Sequence, residues 1–252
     1  LGLLYADHWP YRQKATARGI RRSPFHAQLA DLGAVFGEFA GWERANWFAF
    51  PGEPRQYEYS WGKQNWFGNA AHEHGLIRNG CGFYDMSSFG KIKIDGLHAG
   101  AFLNRVCGGD MSVPNGKIVY TQMLNSRAGI EADVTVTRLS EFSYLMITPA
   151  ATLVKDIAWL RRFEDPDDAV FITDITAGEA VLAVMGPKSR EVLQSISPAD
   201  FSNEAFPFGT ARDIDIGLGL VRAHRVSYVG ELGWEIYIPS DMAAHVMETL
   251  IE

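Results

Sequence analysis

Two carboxylates in this sequence lie where an acidic side chain could take part in chemistry. Asp133 follows a turn predicted at Asn125–Gly129, where a strand returns after its partner. Glu231 lies in the glycine-flanked segment Gly230-Glu-Leu-Gly233, just before another predicted strand. Because glycine carries no side chain, a carboxylate beside it can approach a planar ligand closely. The residues alone leave open that Asp133 is a turn or cap residue and that Glu231 is an ordinary turn carboxylate.

Motifs that would indicate other chemistry are missing from the sequence. It contains no G-x-G-x-x-G and no G-x-x-x-x-G-K-[ST], so we do not expect a dinucleotide or ATP to bind through the usual loops. It has neither H-E-x-x-H nor G-x-S-x-G. His72-Glu-His74 is the nearest approach to a metal cluster. Residues at i and i+2 face opposite sides of a strand and lie poorly on a helix, so we predict a surface role and no metal site.

The composition is that of an ordinary globular protein. Of 252 residues, 47% are hydrophobic and 21% charged, and the formal charge of −7 argues against a nucleic-acid partner. Arginines at positions 12, 18, 21 and 22 are interpreted as a solvated or salt-bridged surface. No apolar run is long enough to span a membrane and no signal peptide is visible, so no membrane partner is expected. Cys81 and Cys107 form no CxxC pair, which predicts buried thiols in a reducing compartment.

The elements that must position these residues indicate an α+β fold with mixed or antiparallel sheets and packed helices, since strands and helices do not alternate strictly. β-Branched and aromatic residues predict strands at Lys91–Asp95, Val119–Met123, Val134–Leu139, Tyr144–Thr148, Val170–Asp174, Val181–Met185 and Trp234–Ile238. Helices are predicted at Leu97–Cys107, Ala150–Phe163, Pro187–Ile196 and Asp241–Ile251, with starts at Asp95, Thr148, Pro187 and Ser240. The second helix carries an apolar stripe of Leu153, Ile157 and Leu160.

The composition changes near residue 60. Five of the seven tryptophans, at positions 9, 42, 47, 61 and 66, lie in the first 66 residues. One helix is predicted there, from Pro24 to Leu32, with Ser23 as its N-cap and Gly33 as its stop. Since Phe50–Arg55 is typical of a loop or boundary, we predict that residues 1–60 are the tail of one domain and residues 61–252 belong to another. The aromatic residues would pack between domains, or form a cage for a methylated ammonium group.

Three ordered segments resemble the folate-binding domain of the aminomethyltransferase (T-protein) of the glycine cleavage system. They are Arg78–Gly96, Tyr120–Val136 and Val226–Ile236, with G-F-Y-D-M-S, Y-T-Q-M-L-N and Y-V-G-E-L-G-W-E-I inside them. Gly41-Trp-Glu-Arg-Ala-Asn-Trp-Phe48 resembles the FAD-dependent sarcosine and dimethylglycine dehydrogenases and oxidases. Ala132 stands where the T-protein often has a second aspartate, which fits the oxidase-linked relatives better.

The resemblance implies a role for each candidate site residue. Asp133 would be the catalytic carboxylate near N10 of the folate, where it could orient the amine, accept a proton and stabilise positive charge during transfer. Tyr120 would lie beside it on the adjacent strand, although plain strand packing stays an alternative. Glu231 would accept hydrogen bonds from the amino and ring N–H groups of the pterin, and Tyr228 would line the same pocket. Asp85 is interpreted as structural, bonding to backbone at the following turn.

The implied function is tetrahydrofolate-dependent transfer of an aminomethyl or one-carbon unit, forming 5,10-methylenetetrahydrofolate. The partners would be folate, sarcosine or dimethylglycine, and a flavin domain in the same chain that would hold FAD. Because the sequence begins without Met and ends inside a predicted helix, we expect a fragment that lacks that flavin domain and the final barrel domain of the family. The expected location is the bacterial cytoplasm or the mitochondrial matrix. A non-catalytic regulatory relative, and a folate-dependent demethylase or T-protein without a flavin domain, remain alternatives.

Overall fold

The computed structural model describes residues 12–228 and 230–252, so Trp9 lies outside the described residues. The helices are α1 (His26–Asp31), α2 (Phe67–Asn79), α3 (Ala99–Val106), α4 (Leu153–Arg161), α5 (Ser189–Ile196) and α6 (Ala243–Ile251). The strands are β1 (Ala34–Phe39), β2 (Trp42–Phe48), β3 (Gly82–Asp85), β4 (Gly90–Asp95), β5 (Ile118–Leu124), β6 (Ile130–Ser140), β7 (Ser143–Thr148), β8 (Phe171–Asp174), β9 (Glu179–Met185), β10 (Thr210–Ile216), β11 (Gly219–Arg225) and β12 (Gly233–Pro239).

Ten of these strands form two five-stranded sheets. Sheet I has the order β10-β11-β12-β9-β3, and sheet II has the order β5-β6-β7-β4-β8. Every neighbouring pair in both sheets is antiparallel. All strands of sheet II lie between β3 and β9 in sequence, so this unit is inserted into the unit that contains sheet I. The predicted α+β fold with antiparallel sheets is therefore confirmed.

Each sheet packs helices against one of its faces. Leu29 of α1, Leu193 of α5 and Val246 of α6 share a buried core with the alternate residues of β9 and β12. On sheet II, α3 and α4 cover a second core, to which the predicted stripe of α4 contributes buried Leu153 and Leu160. Burial of these apolar faces is the main stabilising contribution of the helices, because it removes hydrocarbon from water.

The opposite faces of the two sheets pack against each other over part of their area. Leu145 and Ile147 of sheet II contact Val181 and Tyr237 of sheet I in a third, smaller cluster. The cross-strand partner of Ile147 on β4 is Lys91, so this lysine also points between the sheets and is fully buried. Alternation along β4 would have placed Lys91 on a solvated face, but the second sheet covers that face.

Burial of Lys91 is made possible by backbone acceptors. Its Nζ donates to the carbonyl oxygens of Ser87 and Phe89, at 2.9 and 3.0 Å. Burial lowers the pKa of this lysine to about 8, and the nearby charges of Glu179 and Asp85 oppose that shift. The two bonds replace the water that the ammonium group loses.

The sheets also meet at their edges. Lys117, just before β5, bridges to Thr210 at the start of β10. The amide of Ala211 donates to the carbonyl of Gly116 at 2.7 Å, and that of Ile118 donates to the carbonyl of Gly209 at 2.9 Å. At the other edge the chain itself crosses between the sheets, at residues 86–89 and 175–178.

The predicted helix starts were wrong in detail. Four polar residues that the sequence favours as helix starts form other hydrogen bonds. Ser23 Oγ donates to Asp85, Thr148 Oγ1 donates to Asp156, and Ser240 Oγ donates to the carbonyl of Ala177. Asp95 Oδ1 accepts from Ser143 Oγ. Each helix begins further along the chain, after Phe25, His98, Thr152 and Met242, and α5 begins at Ser189 rather than Pro187. These side chains therefore form hydrogen bonds with groups other than the backbone N–H groups of the first helical turn, which is the capping role that the sequence predicts.

The N-terminal described segment packs onto sheet I. Phe25, Leu29 and Ala34 belong to the same buried core as Trp234, and β1 and β2 form an antiparallel hairpin. The sequence did not predict β1, β2, β3, β10, β11 or α2. The domain boundary near residue 60 stays a prediction.

Other sequence features take ordinary structural roles. Arg18 forms an ion pair with Glu43 at 2.7 Å, and Arg21 lies over the ring of Trp42 at 4.1 Å, as expected for a salt-bridged surface. Cys107 is buried and Cys81 half-buried, and both are free thiols. Among residues 12–228 and 230–252, no helix has the length and apolarity needed to cross a membrane. In the same ranges no three His, Cys, Asp or Glu side chains are grouped so as to hold a metal ion.

Candidate functional site

The hairpin formed by β5 and β6 holds Asp133 between two donors. Gln122 is its direct cross-strand partner, and Gln122 Nε2 donates to Asp133 Oδ1 at 3.1 Å. Tyr120 Oη donates to Asp133 Oδ2 at 2.7 Å. Each carboxylate oxygen thus accepts one bond, which fixes the plane of the carboxylate and leaves further lone pairs free. The contact of Tyr120 with Asp133 is the one that the sequence predicts, whereas the contact of Gln122 is additional.

The direction of Asp133 depends on a β-bulge at the start of β6. Met123 pairs with Ala132 and Leu124 with Ile130, so Glu131 is the extra residue. Without the bulge, Asp133 would pair with Thr121, which is buried, and would lie on the same side of the sheet as that residue. With the bulge, Ala132 and Val134 face the helix-covered core of sheet II, and Asp133 faces the other side.

The turn beside the bulge is held by Asn125. Its Oδ1 accepts from the amides of Arg127 and Gly129, at 3.0 and 2.9 Å, and its Nδ2 donates to Glu131 Oε1 at 2.8 Å. Lys155 Nζ donates to the carbonyl of Glu131 from the neighbouring helix α4. The bulge residue is therefore bonded from both the turn and a helix.

Tyr120 remains a hydrogen-bond donor over a wide pH range. Its hydrogen bond to Asp133, and the negative charge of that carboxylate, raise the pKa of Tyr120 above its ordinary value. Tyr228 is close enough to raise it further. Tyr120 and Tyr228 are 67% and 95% exposed, so neither aromatic ring is needed for core packing.

Glu231 lies on the segment that leads into β12. Its Oε2 is buried and meets no donor among the described residues. A buried carboxylate oxygen without a donor is costly, so this atom is suited to receive an N–H from a ligand. The charge of Glu231 raises the pKa of Tyr84 on β3, after the larger effect of partial burial.

The glycines that flank Glu231 differ in their roles. Gly230 has φ +90° and open space around it. A Cβ at Gly233 would lie 2.0 Å from Met185 Sδ. Gly233 is therefore required by packing against Met185, and the expectation that both glycines leave room for a ligand holds only at Gly230.

Strand alternation places Asp133 on the face of sheet II that is turned towards sheet I. Asp133 shares its face of sheet II with Thr135, the cross-strand partner of Ile147, and Ile147 packs against sheet I. Tyr84, next to Glu231, pairs with Ala183 on β9 and shares its face with Val181. Tyr228 and Glu231, which lie between β11 and β12, raise the pKa values of Tyr120 and Tyr84, respectively.

A buried polar layer lies on the same face of sheet I. Glu235 Oε2 accepts from Tyr237 Oη at 2.8 Å, and burial raises the pKa of this carboxyl group. The ring of His224 lies 4.3 Å from that of Tyr237, and burial lowers the pKa of His224 to about 3. These groups favour their neutral forms, which reduces the cost of burying them.

Asp85 has the structural role that the sequence predicts. Its Oδ1 accepts from the amide of Ser87 at 3.0 Å, in the turn that follows β3. Ser23 Oγ donates to its other oxygen. In α2, Glu73 of the His72–His74 segment accepts from the amide of Phe48 at 2.9 Å.

Two cavities of about 470 Å³ each lie elsewhere. One is bordered by Arg105, Trp159 and the tip of the β5–β6 hairpin, on the helix side of sheet II. The other is bordered by Arg18, Tyr57 and Tyr59 near the N-terminal hairpin. Neither is lined by Asp133 or Glu231.

The arrangement of two antiparallel sheets has a counterpart among solved structures. The structure superposes on the glycine cleavage system aminomethyltransferase T from Bartonella henselae with a TM-score of 0.75 and 24% identity. The match covers 92% of this chain and 57% of that one. At this identity the likeness establishes the fold.

A protein-family model described as "GCVT N-terminal domain" matches residues 25–252, so the chain belongs to the GCVT aminomethyltransferase family. It is 46% identical over its whole length to 4-methylaminobutanoate oxidase (formaldehyde-forming) of Paenarthrobacter nicotinovorans. It is 33% identical, over 93% of its length, to human mitochondrial sarcosine dehydrogenase. The chain spans about 30% of the length of each relative. The resemblance inferred from the three sequence segments is confirmed.

Proposed function

We propose that this chain binds tetrahydrofolate and transfers a one-carbon unit to it, as the folate-binding part of an N-methyl amino acid dehydrogenase or oxidase. The observations that support this most are an oriented carboxylate and a buried carboxylate oxygen that meets no donor among the described residues. Asp133 is held by Tyr120 and Gln122, and Glu231 has an unpartnered acceptor. The family match supports the transfer reaction, and the names of the relatives support a link to oxidation of an N-methyl amine.

Glu231 would hold the pterin end of the folate. A pterin presents an amino group and a ring N–H along one edge, and a carboxylate offers two acceptors in one plane. The unpartnered Oε2 fits that requirement, because a ligand N–H would supply the donor it lacks. Tetrahydrofolate, when bound, supplies the nitrogen atoms that accept the one-carbon unit. Tyr228 would cover the bound ligand from the adjoining loop.

Asp133 would act at the reacting end. Its two oxygens are fixed by donors, so the carboxylate is oriented before the ligand arrives, which is how preorganised groups stabilise developing charge. As an amine nitrogen gains positive character, the negative charge of Asp133 would stabilise it. The remaining lone pairs could hold a proton released from nitrogen. Tyr120 keeps its own proton, so it orients Asp133 without competing for that role.

The one-carbon unit would come from flavin-dependent oxidation of an N-methyl amine. One relative is named as formaldehyde-forming, and another as a sarcosine dehydrogenase. Sarcosine, dimethylglycine and related N-methyl amino acids are therefore the proposed substrates. FAD would be bound by a different part of the polypeptide, before the segment matched here.

The test uses the full-length protein, with calorimetric titration of tetrahydrofolate under nitrogen. Glu231→Gln should weaken binding about tenfold or more, since it removes a charged acceptor. Asp133→Asn should change the dissociation constant less than about threefold, while capture of the one-carbon unit as methylenetetrahydrofolate falls about a hundredfold. Glu141→Gln, at an exposed position in the turn between β6 and β7, is the matched control and should behave as wild type.

Two outcomes would count against the proposal. Absence of saturable tetrahydrofolate binding by the wild-type protein would overturn it. Binding with no capture of the one-carbon unit, unaffected by Asp133→Asn, would favour the regulatory alternative instead.

A further inference from the structure

One charged side chain reaches the hairpin of Asp133 from a different element. Helix α4 packs on the helix-covered side of sheet II, and its residue Lys155 extends to the start of β6. Lys155 Nζ donates to the carbonyl oxygen of Glu131, two residues before Asp133. Glu131 is the bulge residue, to which the register gives no partner on β5. Because a bulge leaves its extra residue outside the regular ladder, Lys155 supplies a donor where the neighbouring strand has none to offer.

The ammonium group of Lys155 is itself held by a buried carboxylate. Asp156 is fully buried, and its Oδ1 receives no hydrogen bond among the described residues. Lys155 Nζ lies 3.0 Å from this oxygen, and Thr148 Oγ1 donates to the other oxygen. A buried carboxylate is costly without a compensating charge. Lys155 Nζ is therefore attracted to Asp156 while it donates to Glu131.

The two contacts of Glu131 have different origins. Asn125 Nδ2 donates to Glu131 Oε1 at 2.8 Å, but Asn125 belongs to the turn of the same hairpin. The contact from Lys155 ties the bulge to the helix layer of sheet II. The bulge decides the side of the sheet on which Asp133 lies, and a displacement of about 1 Å at a reacting group can cost orders of magnitude in rate. A contact at the bulge can therefore influence the geometry of this carboxylate.

We propose that Lys155 is a positioning residue for one-carbon transfer, which holds the β6 bulge so that Asp133 keeps its orientation towards Tyr120 and Gln122. This inference rests on the proposed function, because Asp133 is the group that Lys155 serves. Lys155 acts through the backbone of β6 and not through contact with the ligand.

The first experiment measures the orientation of Asp133 without any ligand. Lys155→Met nearly keeps the length of the side chain and removes its charge and its donor. The pKa of Tyr120, which the contact with Asp133 raises, should then fall towards its ordinary value. The signal of Tyr120 is obtained by ultraviolet titration of each protein with and without Tyr120→Phe. Lys155→Arg keeps a charged donor and should preserve the raised pKa of Tyr120.

The second experiment measures tetrahydrofolate binding and capture of the one-carbon unit by the full-length protein. Lys155→Met should lower the rate of capture about tenfold and leave the dissociation constant of tetrahydrofolate within about twofold, since only the orientation of the reacting carboxylate changes. Lys155→Arg should recover most of the rate. Lys188→Met, at an exposed position just before α5, is the matched control and should behave as wild type.

An unchanged pKa of Tyr120 in Lys155→Met, or an unchanged rate of capture, would overturn the assignment of Lys155. Equal losses of binding and capture, with no rescue by Lys155→Arg, would show a general structural role and would overturn it as well. If the wild-type protein captures no one-carbon unit, the proposed function itself fails. The titration of Tyr120 then still decides whether Lys155 orients Asp133.

Discussion

Gly233 allows the effect of one added carbon to be followed from packing to ligand affinity. In Gly233→Ala, the new Cβ would lie 2.0 Å from Met185 Sδ and 2.7 Å from the carbonyl oxygen of Val184. The methionine side chain can rotate away. The carbonyl belongs to β9, which pairs with β12 at this position, so these two neighbouring strands of sheet I must separate.

The expected loss follows from the cost of overpacking. Forcing extra atoms into a well-packed site costs about 1–3 kcal/mol. For a protein of this size, each 1 kcal/mol lowers Tm by about 2–4 °C. We therefore expect Gly233→Ala to lower Tm by roughly 2–12 °C in a calorimetric scan. Because Glu231 lies two residues earlier, tetrahydrofolate affinity should fall as well.

Two other glycines separate steric effects from backbone effects. Gly75 lies inside α2 with no atom within 4 Å of an added Cβ, so Gly75→Ala should leave Tm unchanged or raise it. Gly230 also has open space but has φ +90°, so Gly230→Ala should cost about 1–2 kcal/mol through its backbone alone. Wild-type stability and affinity in Gly233→Ala would refute the inference that β9 and β12 cannot relax.

Three further predictions concern charge and packing. Asp133→Asn should return the raised pKa of Tyr120 towards its ordinary value. The measurement is an ultraviolet titration of tyrosine, with Tyr120→Phe identifying the signal of this residue. An unchanged pKa of Tyr120 in Asp133→Asn would contradict the contact. Burial lowers the pKa of His224 from 6.5 to about 3. Between about pH 3 and pH 6.5, His224 is therefore protonated in the unfolded chain and neutral in the folded protein. Stability should therefore be complete above pH 6.5 and fall towards pH 3 by up to about 1.4 kcal/mol per pH unit. Urea unfolding should show this slope lost in His224→Gln, and a retained slope would assign it to other groups. Leu160→Ala, at a fully buried position in α4, should lower the free energy of unfolding by about 2–5 kcal/mol. Val154→Ala, at a position 82% exposed in the same helix, should change it by less than about 0.5 kcal/mol, and equal effects would contradict the assigned burial.

The hairpin that carries Asp133 could be predicted from local sequence, but the direction of the side chain could not. β-Branched residues indicate both strands, and Asn125 and Gly129 indicate the turn. The side of the sheet on which Asp133 lies depends on whether Glu131 pairs with a residue of β5 or is left unpaired as a bulge. That is decided by bonds from Asn125 and Lys155, and the contact from Lys155 comes from a helix that is distant in sequence.

Elements held by polar contacts were missed for a related reason. Helix α2 has no apolar stripe, and its buried residue is Asn69. Asn69 Nδ2 donates to the carbonyl of Phe48 at 3.0 Å, and Glu73 accepts from the amide of Phe48 at 2.9 Å. Hydrophobic periodicity, the main signal for a helix, is absent from such a segment.

The candidate site was predictable to the extent that its residues belong to contiguous motifs. Asp133, Tyr120, Tyr228 and Glu231 lie in segments recognisable by sequence. The position of Tyr84 in sheet I depends on the pairing of β3 with β9, which joins segments on either side of the inserted unit. A long-range pairing of this kind leaves no local pattern.

The connections at both sheet edges limit how far the two sheets can move apart. At one side the sheets are joined by backbone hydrogen bonds at the starts of β5 and β10. At the other side they are joined by the chain itself, which passes from one sheet to the other at residues 86–89 and 175–178. The sheets therefore cannot open like the covers of a book. A change that separated the two sheets would therefore have to break the hydrogen bonds at one side and strain the chain crossings at the other.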